Sequence, residues 1–245
     1  MTEKLDPWPR PLADDVRQAI IERALAANGW WQQSVIEALN LCPWAANARR
    51  DGRAQVEVFT DPVPVDPRDG LDGALRDLAV ALIEAPRLEV TQIVFPGLAL
   101  DALAFERWAK AFTGAAHAAA GRSATVAVAA FHPGLPWRPA PALALVPLLR
   151  RAPDPTVQWL RLDVLDRVRE GRAQGDVWLP TDPVEAARVL AEAARPSVAA
   201  RVAEANATRV AEFGHDALEQ MLHERAEAQR QAWAALAVAA RTRIV

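Results

Sequence analysis

The sequence predicts an α/β fold, with α+β as the alternative: a small, partly parallel sheet covered by helices, followed by a mostly helical C-terminal third. Three short apolar runs, at residues 55–60, 90–95 and 124–131, alternate with amphipathic stretches of helical length. Beyond residue 153 the apolar pattern has helical spacing instead. With 245 residues, 51% of them apolar, the chain can bury one sizeable core. A single domain is therefore expected, comprising an extended arm over 1–13, an α/β core over 14–152 and a helical part over 153–245 that packs on the core.

The arm follows from Pro7, Pro9 and Pro11, which interrupt both helix and strand pairing. Asp14 or Asp15 can cap a helix reaching about Ala27, where Asn28-Gly29 supplies a stop, and a second helix is expected from about Trp31 to Leu41. Gln55 to Thr60 reads as a strand closed by the Pro-rich turn Asp61 to Asp69. Leu71 to Glu84 is amphipathic and helical. Val90 to Phe95 is a second strand ending at Pro96-Gly97, Asp101 to Ala120 a helix, and Ala124 to Phe131 a third strand ending at His132-Pro133. If the last two strands are parallel neighbours, Phe95 and His132 share the carboxyl edge where such sheets bind ligands. Leu135 to Pro147, rich in proline, is then a stiff lid or a rigid connector. Helices are expected over Pro155 to Glu170, Pro183 to Ala194 and Val198 to about Arg241, the last interrupted near Gly214.

Composition narrows the function. The 28 basic and 31 acidic residues give a net charge of −3 spread along the chain, which provides no footprint for nucleic acid. The arginines at 150, 151, 161, 167, 169 and 172 read as a solvated helix face. No window is apolar enough to span a membrane, the N-terminus lacks a secretory core, and one cysteine forms no intramolecular disulfide, so a cytoplasmic location is expected. Nine Trp without a single Tyr suggest either plain aromatic packing or an aromatic pocket near Trp30, Trp31 and Trp44.

The lone Cys42 is the residue on which chemistry turns. Val35, Leu39 and Cys42 continue one apolar stripe, and Pro43 turns the chain out of the helix, so the thiol is expected on an inward face at a helix C-terminus. That end of a helix disfavours a thiolate nucleophile but suits a cation or a haem iron. Burial as a small hydrophobe is the plain alternative. His132, pinned at a strand end by Pro133, can act as a base or a ligand, or simply bond to loop backbone. His215 shares an inward face with Leu218 and Leu222, Glu219 and His223 have the spacing of an exposed pair, and His117 reads as structural. Phosphate-binding Gly-rich loops, Cys-x-x-Cys and His-Glu-x-x-His are all missing from the sequence.

Four stretches together resemble a bacterial family of uncharacterised proteins identified by the signature Leu-Asn-Leu-Cys-Pro-Phe-Ala. They are Leu39-Asn40-Leu41-Cys42-Pro43-Trp44-Ala45, Phe131-His132-Pro133, Leu148-Leu149-Arg150, and Asn206 with Phe213-Gly214-His215. Order and spacing agree from about Trp30 to Leu218. The chain departs from that family at Pro139 to Ala144, where an Asn-Arg-Ser-Pro-Tyr-Pro run is usual, and at Phe95, where a histidine is common. The resemblance implies a divergent member with a more apolar pocket, and no established reaction.

The leading expectation is a small-molecule enzyme whose catalytic and metal-ligating residues are Cys42, His132 and His215. Iron or haem would supply redox chemistry beside an apolar pocket in which Trp31, Trp44, Phe95 and Asn206 touch the substrate. Metal-free Cys/His nucleophilic catalysis is one alternative. A non-catalytic module that binds a ligand or partner is the other, and the C-terminal helices would serve a homodimer equally well as a cover for the sheet.

Overall fold

The computed structural model describes residues 5, 7–42, 45–71, 73–136, 146–164 and 198–242. Four strands form one mixed sheet: β1 (Ala54–Val58), β2 (Val90–Val94), β3 (Val126–Phe131) and β4 (Thr156–Arg161), in the spatial order β1-β2-β4-β3. β1 and β2 are parallel, and β4 runs antiparallel to both β2 and β3. The α/β expectation therefore holds, and so do its first three strands. β2 and β3 do point the same way and end on one edge, but they are not neighbours, because β4 lies between them.

β4 is where a helix over Pro155 to Glu170 was expected. Thr156, Gln158 and Leu160 alternate with Val157, Trp159 and Arg161, and a strand covered on both faces can be apolar on both. Central pairing to two strands overrides the helical spacing that continues into residues 162–164. The arginines consequently do not form one helix face. Arg161 donates to the Ile83 carbonyl at 2.9 Å, and Arg151 reaches the Leu135 carbonyl at 2.7 Å and Glu219 at 3.2 Å. Glu219 thus pairs across elements rather than with His223. The arginines at 167, 169 and 172, the helix expected over 183–194 and most of the proposed lid lie outside the described residues.

One face of the sheet packs on α3 (Gly73–Glu84) and α4 (Ala102–Ala119). Asp101 starts α4 by accepting the Ala104 amide at 2.8 Å. Ile93, Val157 and Trp159 meet Leu75, Ala79, Ile83, Phe105, Trp108 and Phe112 there. Phe105, Trp108, Phe112 and Trp159 stack in series with centroids 5.2–6.0 Å apart. Truncating a ring such as Trp159, 1% exposed, would cost about 3–5 kcal/mol.

The other face is covered by α1 (Asp14–Trp31), α6 (Val198–Phe213) and α7 (His215–Thr242). The short helices α2 (Ala45–Arg50) and α5 (Val146–Leu149) complete the described set. α1 does not stop at Asn28-Gly29. It passes through them and opens into a π-helical turn over Gln32–Glu37, so the two expected helices are one. The helix continues through Gly29 because Asn28 is buried on the stripe with Ala24 and Trp31. The expected interruption near Gly214 is present: its φ of +101° separates α6 from α7.

The shared carboxyl edge of β2 and β3, expected to bind ligand, is filled by protein. Trp8 of the N-terminal arm donates to the Pro96 carbonyl at 3.1 Å and meets Trp233 of α7 edge-on at 5.5 Å. Gly97, at φ +70°, lets the arm cross: a Cβ there would lie 3.0 Å from Pro7. The buried Asp154 carboxylate, just before β4, accepts from Trp233 Nε1 and from Gln229 Nε2. Among the described residues no helix is long and apolar enough to cross a membrane.

Candidate functional site

The cavity lies on the face of the sheet rather than at its edge. Side chains in register across the strands make its floor: Val56, Gln92 and Gln158 form one row, and Ala54, Val90 and Leu160 the next. Trp31, Ile36 and Leu41 form the opposite wall, with Phe131 and Leu149 beside them. The enclosed volume is about 350 Å³, which falls in the usual range for small-molecule sites, about 300–1,000 Å³.

The wall is shaped by the end of α1. In the wide turn Ala38 N–H reaches the Gln33 carbonyl at 3.0 Å, five residues back. Asn40 then adopts a left-handed conformation (φ 49°), Leu41 N–H returns to the Ile36 carbonyl at 2.8 Å, and Asn40 N–H to Glu37 at 2.9 Å. This paired closure, with Leu41 packed in the same cluster as Ile36, ends the helix by a Schellman motif in which Asn takes the usual place of Gly. The stop therefore precedes Pro43, and it delivers Cys42 to the cavity wall, half-buried. π-helical turns concentrate at functional sites, and Gln32, Ile36 and Glu37 of this one all line the cavity.

Polar groups on these walls are unevenly satisfied. Gln92 is 2% exposed; its amide nitrogen donates to Gln158 Oε1 at 2.9 Å, and its own oxygen has no partner. Trp31 is 1% exposed and its indole N–H is also unpartnered. That sets it apart from Trp8, Trp108, Trp159 and Trp233, each of which donates to a protein oxygen. Buried polar atoms without partners are rare, and two residues of this one cavity wall carry them. Asn206, in contrast, is satisfied: its Nδ2 donates to the Leu41 carbonyl at 3.1 Å.

Three charged side chains also line the cavity. Arg49 grips Glu37 with two hydrogen bonds, of 2.7 and 2.6 Å, and this contact holds the Glu37 carboxyl below the usual carboxylate range despite partial burial. Arg150 lies over the Phe131 ring at 6.0 Å. Its backbone carbonyl is fixed by the His132 amide at 3.0 Å.

Of the residues expected to form the site, Cys42, Trp31 and Asn206 line this cavity, whereas His132, His215 and Phe95 do not. His132 faces away from it, against Phe105 at 5.8 Å. Its Nδ1 accepts the Gly134 amide at 3.0 Å and its Nε2 faces the Leu100 carbonyl at 3.0 Å, so Nδ1 is the acceptor and Nε2–H the donor of a neutral ring. Burial lowers its pKa, opposed by the Leu100 bond and by Asp101. Phe95 is core, 2% exposed among Phe59, Trp108 and Phe112, because odd and even positions of β2 face opposite ways. His215 is half-buried at the start of α7, and Trp44 lies outside the described residues. His117, read as structural, accepts the Thr125 amide at 3.0 Å.

Sequence reasoning missed Gln92, Gln158, Glu37 and Arg49, and it read Arg150, quoted in a family stretch, as part of a solvated helix face rather than as a cavity residue. A glutamine amid the β-branched run Val90 to Phe95 was the available signal. Among the described residues no three His, Cys, Asp or Glu side chains gather as a metal-binding group. A metal or haem iron shared by Cys42 and His132 does not fit these residues, since both His132 nitrogens are engaged by backbone and the ring faces the other core.

Compared with known proteins, residues 22–188 match the model of a protein family of unknown function. The match spans the end of α1, the whole sheet and Arg150, but stops short of Asn206. No curated protein and no solved structure matches the chain.

Proposed function

The chain belongs to DUF1415, a family of proteins of unknown function, and from that premise we propose that it binds a small, largely apolar molecule in the cavity between the sheet and the Trp31–Cys42 corner. One observation supports this above the others. All four stretches singled out in the sequence supply residues to this one cavity: Leu41 and Cys42, then Phe131, then Leu149 and Arg150, then Asn206. The unpartnered Gln92 oxygen and Trp31 indole give the molecule one donor and one acceptor to meet.

Binding without thiol chemistry is the reading the geometry favours. A cysteine nucleophile needs a base within hydrogen-bond reach, and the only carboxylate among the described lining residues, Glu37, is committed to Arg49. His132 and His215 line other surroundings.

Because Cys42 is the only cysteine, its alkylation reports occupancy of the cavity. The test is the rate of iodoacetamide labelling with and without neutral probes: 2-naphthamide, indole and decanamide. At least one probe should slow labelling five-fold or more, and Val56→Trp, which fills the cavity floor, should abolish that protection. Labelling unchanged by every probe would overturn the proposal, and labelling faster than free cysteine would move the reading to Cys42 catalysis.

A further inference from the structure

Charge around the cavity is unbalanced. Glu37 and Arg49 neutralise one another, which leaves Arg150 as the surplus: two cations against one anion among the described lining residues. Arg150 is half-buried, and the one hydrogen bond its residue contributes to the described structure beyond local turns is through the backbone carbonyl, not the guanidinium. The opposing charge that acts on it is Glu106 of α4, whose carboxylate is already paired with Lys110 at 2.9 Å. Burial pushes the guanidinium down from its ordinary value, against the pull of Glu106. A half-buried arginine ordinarily meets a carboxylate or phosphate through its planar fork, and among the described residues no carboxylate bonds this guanidinium.

The remaining walls define what such an anion must be attached to. Phe131 lies beneath the guanidinium, and Trp31, Leu41, Val56 and Leu160 surround the space beyond it. A free inorganic anion would leave these walls unmatched.

Resting on the binding reading above, we infer that the cavity selects an amphipathic small anion, with a carboxylate-type head on the Arg150 guanidinium and an apolar body against the aromatic and aliphatic walls. The Gln92 and Trp31 polar atoms then read a second, uncharged polar group on that body.

The experiment is calorimetric titration of the intact chain with a matched pair, 2-naphthoate and its neutral isostere 2-naphthamide, on native protein, Arg150→Met and Arg150→Gln. Native protein should bind the carboxylate at least ten-fold more tightly than the amide. Both variants should bind the two ligands within about two-fold of each other. If the variants fail to melt cooperatively, the native comparison decides alone. Equal affinity for both ligands in native protein, or a preference that survives in folded variants, overturns the inference and leaves the binding reading standing. Binding of neither ligand by native protein overturns the inference, and the binding reading falls with it only if indole and decanamide also fail to slow Cys42 labelling.

Discussion

Asn206 of α6 donates its side-chain amide to the backbone carbonyl of Leu41, across 165 residues of chain and in a buried setting. The bond ties the C-terminal helices to the corner that presents Cys42. Asn206 itself lies outside the span matched to the family model, so the cavity depends on a residue beyond that span.

Asn206→Ala should leave the Leu41 carbonyl without its donor, at a cost of about 1–3 kcal/mol. For a chain of this size that lowers the melting temperature by roughly 2–4 °C per kcal/mol. Calorimetric melting checks the loss, and Cys42 alkylation should quicken in the same variant as the corner loosens. A melting temperature within about 1 °C of native would contradict the role assigned to this bond.

Asn40 is exposed and held at φ 49°, so its substitution tests backbone strain with little packing change. Asn40→Val should destabilise by about 1–2 kcal/mol, because a β-branched residue resists the left-handed region. Asn40→Gly should be neutral or slightly stabilising. Urea denaturation of both variants decides; equal losses would mean that the cap is not what ends α1.

Gln92→Leu removes a buried amide that is half-satisfied in the absence of a ligand. Its Gln158 partner is only partly buried and can turn to water. The variant should melt at the native temperature or above it while binding 2-naphthamide at least ten-fold more weakly. Such opposed effects mark a polar group retained for function rather than stability. A large loss of stability would show instead that the glutamine pair is structural.

Asp154 makes the stability of the α7 docking depend on pH. Burial raises its carboxyl from the ordinary 3.8 to about 6, against the hydrogen bonds from Trp233 and Gln229 that favour the anion. Folding therefore favours the protonated form. The contribution is fully present below about pH 4, is lost as pH rises through about 6, and totals roughly 3 kcal/mol. Between pH 5.0 and 7.5 native protein should lose about 1.4 kcal/mol more unfolding free energy than Asp154→Asn. Denaturation curves at the two pH values, followed by tryptophan fluorescence, measure this; parallel losses in both proteins would refute it.

Much of the architecture was legible because local patterns and tertiary demands coincide. β-branched runs between turn residues marked β1, β2 and β3, and Asp101 and Gly214 marked helix boundaries that the structure keeps. β4 was illegible because Leu160 and Val164 continue a helical spacing, and only its two flanking strands make Thr156–Arg161 extended. The cavity was half legible. Cys42 stood out by its sequence setting, Asn206 by the family resemblance, and Trp31 by the clustering of tryptophans. His132 did not join them, because the ring partners that face it away, Leu100 and Gly134, are set by the loop and not by the strand. The orphaned Gln92 oxygen depends on register across three strands, which no single stretch encodes.

The position of β4 also bears on the order in which the molecule can be assembled. Among the described residues β3 pairs with β4 alone, yet β4 is the later of the two along the chain and is inserted between strands already made. During synthesis β3 has no ladder partner until residues 156–161 emerge, and the open side of β2 waits for the same six residues. A nascent chain arrested before Thr156 thus presents the open edge of β2 and an unpaired β3, the hallmark of an aggregation-prone intermediate. Closure of the sheet and completion of the cavity floor are then one event, since Gln158 and Leu160 arrive on the strand that seals it.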